Sequence, residues 1–237
     1  LFVIGAQKCG TTALCELLSD TLPVNLARPK EPAVFTRNTD RGETWYRRCF
    51  TREDLILLDG TPSYTTGSGK IGQTNNPAAE RISDWSSEAR LLYVVRDPVQ
   101  RAYAGYLHAV RAGRERRPLA EAISARRPYV RGSLYGRQLG DYLRLFPRCQ
   151  ILCIDQSYLR QAPNVVVRGI ARWFDVPVIK EATASEKTVN QTYSLNIFGQ
   201  LAHSAFPKPL LEERARGETG VAEPDSVFVT KGNHDAL

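Results

Sequence analysis

Methionine is absent from this chain, and histidine occurs only three times in 237 residues. The three His do not cluster, and the five Cys (Cys9, Cys15, Cys49, Cys149, Cys153) are odd in number and lack paired zinc-type spacing. Those scarcities supply no recognisable ligand set, so no metal is expected. No apolar run approaches the ~20 residues that a membrane span requires. The chain starts inside an apolar strand with neither a Met nor a signal peptide. It therefore reads as a catalytic fragment, with any membrane anchor lying outside it. Repeats and low-complexity tracts are lacking as well.

What is present has the balance of an ordinary globular protein: 42% hydrophobic and 24% charged residues, at a length that suits one domain. The net charge of +7 suits an enzyme that holds a multiply charged cofactor and an anionic acceptor. Nucleic acid would also fit that charge. The Arg residues are scattered, however, apart from one cluster (Arg111, Arg114, Arg116, Arg117) that reads as a solvated helix face. No nucleic-acid motif accompanies them, so nucleic acid is not expected as a partner.

Apolar segments of strand length occur at 1–4, 55–58, 91–95 and 151–154, with helical patterns at 11–19, 98–112, 134–145 and 164–174. Continuous apolar strands alternating with helices predict an α/β domain whose central parallel sheet is covered on both faces. From Pro207 onward the sequence is polar and punctuated by Gly and Pro. The expected organisation is a domain over 1–206 followed by an irregular segment over 207–237. Cys149 and Cys153 flank an apolar strand and are expected to be core or near-core thiols.

The first strand runs into Gly5-Ala6-Gln7-Lys8-Cys9-Gly10-Thr11-Thr12. Strand, glycine-bracketed loop and helix start make a phosphate cradle, because the first helical N–H groups are free and the helix dipole favours an anion. It differs from a Walker A loop, since Thr11 follows Gly10 and the Lys lies inside the loop. A Lys there can neutralise charge on a leaving phosphate. The loop resembles the 5′-phosphosulfate loop of sulfotransferases that use 3′-phosphoadenosine 5′-phosphosulfate (PAPS), and its lead-in is closest to their carbohydrate branch of heparan and chondroitin sulfotransferases. The resemblance implies a P-loop-like α/β fold, with PAPS as the sulfuryl donor and a carbohydrate-type hydroxyl or amine as the acceptor. It further implies a Golgi location for a eukaryotic source and a cytoplasmic one for a bacterial source. It assigns cofactor contacts to Lys8, Cys9, Gly10, Thr11 and Thr12, with Cys9 contributing backbone only.

Arg96-Asp97-Pro98 follows another apolar strand and resembles the family's 3′-phosphate motif, with Arg96 as the phosphate ligand. Asp97 reads as a helix cap and Pro98 as a first-turn residue. The family's Ser eight positions after the Arg is replaced by Ala104, which removes a hydroxyl contact worth on the order of 1 kcal/mol. Lys30-Glu31-Pro32 resembles the segment whose Glu is the family's catalytic base, and an ordinary Lys30–Glu31 surface pair is the alternative reading. Gly42-x-x-Trp45-Tyr46 and Asp59-Gly60-Thr61-Pro62-Ser63-Tyr64 match two further stretches, except that Gly60 stands where many members carry Lys. Tyr135 reads either as a cleft residue or as a core aromatic. Lys231, in Thr230-Lys231-Gly232-Asn233, faintly resembles a late loop that covers the nucleotide.

The expected catalytic residues are thus Lys8 and Glu31, with Asp59 or His108 as fallback bases. A nucleotide-dependent kinase would need Lys after Gly10 and a strand-ending Asp such as Asp59 or Asp155 on Mg²⁺. A catalytically weakened nucleotide-binding relic is the third reading, resting on Gly60 and Ala104.

Overall fold

The computed structural model describes residues 1–66, 76–123 and 128–182, so Lys231 and the expected boundary at 206/207 lie outside the described residues. Strand β1 (Phe2–Gly5) is buried along its whole length and leads through the loop into helix α1 (Thr11–Thr21). On α1 the buried residues Thr11, Leu14, Cys15 and Leu18 recur at helical spacing, so one stripe faces the sheet. Strand β2 (Val24–Leu26) follows, then helix α2 (Gly42–Arg47) and strand β3 (Ile56–Leu58). Helix α3 (Pro77–Trp85) starts on Asn76, whose side chain accepts from the Ala78 N–H, with Pro at its first position.

Strand β4 (Leu91–Val95) and helix α4 (Pro98–Arg111) form the second strand–turn–helix unit. Asp97 caps that helix as expected, its Oδ1 accepting from the Gln100 N–H at 2.8 Å. Short helices α5 (Leu119–Ala122) and α6 (Pro128–Arg131) lead to α7 (Tyr135–Leu143). Strand β5 (Ile151–Asp155) is followed by α8 (Gln156–Gln161) and α9 (Pro163–Phe174).

Strands β1, β4 and β5 make a parallel three-stranded sheet in the order β1-β4-β5. Strands β2 and β3 pair in parallel beside it, and a parallel bridge between Phe2 and Asp59 joins the two sheets. The core includes Ile4, Leu14, Leu18, Leu58, Leu91, Leu92, Tyr64, Tyr93, Tyr142 and Ile170. An aromatic cluster fills the space beneath β1 and β3: Tyr46 packs edge-on against Phe35, Phe50 and Trp85. The Trp45-Tyr46 stretch is thereby a packing element. No helix among the described residues is long and apolar enough to cross a membrane.

Two sequence expectations need correction. Cys149 and Cys153 are exposed, not core thiols. Among the described residues β5 is an edge strand, and its period of two turns Ile154 inward while Cys153 and Asp155 face out. The Arg cluster does not form one helix face, because α4 ends at Arg111 and the chain turns before Arg114. Arg117 there grips the buried Glu115 (Nη2 to Oε2, 2.6 Å), which also accepts from the Tyr129 hydroxyl at 2.9 Å.

Candidate active site

The loop between β1 and α1 is built by its backbone. The Ala6 N–H donates to Val94 O at 2.8 Å, tying the loop's start to β4, and Gly10 opens α1 at φ 93°. That left-handed conformation is accessible to glycine without a Cβ clash. The first-turn amides of α1 have no intrahelical acceptors, and no side chain caps them, so they present donors at a helix N-terminus. Cys9 differs from the expectation of an outward amide: its N–H donates back to Ala6 O at 3.2 Å, and its side chain is buried. Burial pushes its thiol pKa up, as suits a packing residue and not a nucleophile. Lys8 is held at φ 69°, an uncommon backbone for a side-chain-bearing residue.

Lys8 is half-buried, and burial lowers its pKa, opposed by Glu31 and reinforced by Arg111 and Arg114. The same neighbourhood contains His108 on α4, whose pKa is lowered by burial and then by Lys8, Arg114 and Arg111. The fold therefore gathers Lys8, Glu31, His108, Arg111 and Arg114 around one patch, although they are spread over more than one hundred residues of sequence. Beside it lies a cavity of about 320 Å³, lined in part by Gln7, Arg101, His108 and Arg114.

Glu31 is 42% exposed at its side chain, and Lys30 Nζ stands 3.2 Å from its Oε1. The ion pair of the alternative reading is present, and Glu31 is also close enough to influence the charge of Lys8. Lys30 also donates to Gly60 O at 2.8 Å. A Cβ on Gly60 would sit 2.5 Å from Cys15 Sγ and 3.5 Å from Lys30 Nζ, so the backbone here leaves no room for a lysine. The cation beside Glu31 comes from Lys30.

The Asp59 carboxylate is 1% exposed and fully engaged. Its Oδ1 accepts from Thr61 Oγ1 at 2.6 Å, and its Oδ2 from the Tyr64 and Tyr46 hydroxyls at 2.7 and 3.0 Å. Burial pushes its pKa up to about 6 against the pull of those hydroxyls. A carboxylate so enclosed cannot meet an acceptor, which removes Asp59 as a fallback base. Asp155 caps α8, its Oδ1 accepting from the Ser157 N–H at 2.7 Å. Among the described residues no group of three or more His, Cys, Asp or Glu is arranged to hold a metal ion.

Arg96 lies past the C-terminal end of β4, beside that of β5, the edge where open α/β sheets bind ligands. Arg96 Nη2 donates to Gln100 Oε1 at 3.1 Å, and the pair lines a cleft of about 580 Å³ with Gln156, Ser157 and Arg160. Tyr135 fastens this region to the loop: its hydroxyl donates to Arg96 O at 2.9 Å and lies 3.6 Å from Cys9 Sγ. Gln156 reaches the loop too, with Nε2 3.4 Å from where a Gly10 Cβ would stand. Gln156 and Arg160 were not among the expected site residues. Their one sequence signal is Asp155, a cap residue directly after an apolar strand. Ala104 lies buried on α4.

Residues 1–201 match the sulfotransferase domain family. The chain belongs to that family. It is 29% identical over 232 residues to mouse (Mus musculus) heparan sulfate glucosamine 3-O-sulfotransferase 3A1, covering 93% of this chain and 56% of the relative. Mouse heparan sulfate glucosamine 3-O-sulfotransferase 6 is 34% identical over 175 residues, covering 68% of this chain and 47% of the relative. The chain thus spans about half the length of the curated relatives it matches. A crystal structure of a sulfotransferase from Alicyclobacillus acidocaldarius superposes with a TM-score of 0.60 at 26% identity, covering 79% of this chain and 85% of that one. The expected α/β sulfotransferase fold and the resemblance to the carbohydrate branch are borne out, and the kinase reading is not favoured.

Proposed function

We propose that this domain transfers a sulfuryl group from PAPS to a hydroxyl or amine of a carbohydrate-type, anionic acceptor. The observation that carries the reading is the placement of Lys8 and Glu31 on one patch, with Arg96 fastened to the same loop through Tyr135. The first-turn amides of α1, with Thr11 and Thr12, and Lys8 hold the 5′-phosphosulfate; Arg96 holds the 3′-phosphate. In transfer, the bond from sulfur to the bridging phosphate oxygen breaks as the acceptor oxygen or nitrogen bonds to sulfur. Lys8 neutralises the leaving phosphate, and Glu31 takes the acceptor's proton. Lys30 Nζ, 3.2 Å from Glu31 Oε1, is the cationic neighbour of that carboxylate. The exposed cations Arg111 and Arg114 favour an acceptor that is itself anionic.

His108 supports a second assignment of the base, because it faces the same patch and its lowered pKa keeps the imidazole neutral at pH 7. Glu31→Gln and His108→Gln separate the two. With Glu31 as base, Glu31→Gln should lower kcat by roughly 10²–10⁴-fold while affinity for adenosine 3′,5′-bisphosphate stays unchanged. Transfer from radiolabelled PAPS to heparan- and chondroitin-type acceptors provides the rate, and calorimetry the affinity. The same loss in His108→Gln, with Glu31→Gln silent, would reassign the base.

A further inference from the structure

The segment that carries Glu31 is fastened at both of its ends to Asp59-Gly60-Thr61, the turn after β3. On one side Lys30 Nζ donates to Gly60 O, and the Gly60 N–H donates to Lys30 O at 3.2 Å. On the other, the Ala33 N–H donates to Thr61 Oγ1 at 3.2 Å, and that hydroxyl donates to Asp59 Oδ1 at 2.6 Å. Asp59 is fixed in turn by Tyr46 and Tyr64 on its second oxygen, all three donors being buried. Ala33 adopts φ 53°, and its carbonyl accepts from the amides of Thr36, Arg37 and Asn38. The backbone from 30 to 33 is therefore clamped while the Glu31 carboxylate itself remains open to solvent.

We infer that Thr61, anchored by Asp59, is a positioning residue for Glu31. This rests on Glu31 being the base. Among the described residues Thr61 hydrogen-bonds to Ala33, Asp59 and Tyr64, and it acts through the Ala33 amide, two residues beyond Glu31. Its hydroxyl has one proton and is oriented by it: donating to Asp59 leaves its lone pairs for Ala33. A carboxylate held with two oxygens full gives that hydroxyl a single orientation. Small displacements of a catalytic group cost large factors in rate, which is why a clamp two residues away registers in turnover.

The test is a double-mutant cycle between Thr61→Val and Glu31→Gln, read in single-turnover transfer from PAPS and in calorimetric binding of adenosine 3′,5′-bisphosphate. Valine keeps the volume and removes both hydrogen bonds. In the parent background Thr61→Val should lower kcat tenfold or more, with nucleotide affinity within threefold. In the Glu31→Gln background the same substitution should change kcat by less than threefold, because the base it positions is already gone. Thr61→Ser, which restores the hydroxyl, should return kcat to within threefold of the parent. Thr61→Ala takes the place of valine in the cycle if the valine variant does not fold. Equal losses in both backgrounds, a loss carried by nucleotide affinity, or failure of serine to rescue would each overturn the inference. A silent Thr61→Val beside a large Glu31→Gln loss removes only the positioning role. A silent Glu31→Gln removes the base assignment and this inference with it.

Discussion

Replacing Lys8 by Ala tests the centre of the proposed mechanism. The ammonium lies in a half-buried loop at a helix N-terminus, where screening by water is incomplete. A unit charge about 4 Å from a developing anion is worth roughly 4 kcal/mol at an effective dielectric near 20. Loss of one preorganised group of this kind costs about 2.7–4 kcal/mol of transition-state stabilisation, or about 10²–10³ in kcat. The backbone at φ 69° is as uncommon for Ala as for Lys, so the substitution leaves the loop's conformational cost unchanged. Single-turnover transfer from radiolabelled PAPS at saturating acceptor measures the effect. A pH series adds a signature. Burial lowers the pKa of Lys8 below its ordinary 10.5, and the charged form is the one that helps the leaving phosphate. Turnover should therefore fall as pH rises through that lowered value. Lys8→Arg, always charged, should lose this alkaline limb. Turnover of Lys8→Ala within a few-fold of the parent, or an alkaline limb that persists in Lys8→Arg, would refute the assignment.

Arg96→Ala should raise the dissociation constant of adenosine 3′,5′-bisphosphate at least tenfold in calorimetry, since a charged hydrogen bond is worth roughly 1.5–3 kcal/mol and tenfold is about 1.4; unchanged affinity would place the 3′-phosphate elsewhere. Gly60→Lys should destabilise the fold by about 1–3 kcal/mol in denaturant titration, because its Cβ would lie 2.5 Å from buried Cys15 Sγ; a gain in turnover without that loss would contradict the packing argument. Asp59 has a folded pKa of about 6 against an ordinary 3.8, so its contribution is fully present below about pH 3.8 and is lost as pH rises through 6. The stability of Asp59→Asn relative to the parent should accordingly improve by up to about 3 kcal/mol from pH 4 to pH 7, and a difference independent of pH would show that burial does not govern this carboxylate.

Local signals in the sequence were enough for the parallel sheet and for the helices α1, α4, α7 and α9. The apolar runs over β1, β3, β4 and β5 and the cap residues Gly10, Asp97 and Pro98 each act within a few residues of chain. Strand β2 was illegible because it is three residues long with Asn25 at its centre, too short to show a period. Helix α3 carries a local start signal in Asn76-Pro77. The proposed site residues Lys8, Glu31 and Arg96 come from motifs, since each sits at a strand end or loop whose residue order is local.

Tertiary structure decided the rest, for reasons of geometry across long separations. Exposure of Cys149 and Cys153 depends on β5 being an edge strand, a property of strand order and not of the strand's own residues. Gathering His108, Arg111 and Arg114 beside Lys8 depends on where α4 lies against the loop. Asp59 read as a strand-ending acid, but the side chains that close around it come from α2 and the turn after β3. A carboxylate in the sequence is only a potential charge. Burial and the three hydroxyls around Asp59 make it an internal anchor, while Glu31 stays open to solvent beside Lys30.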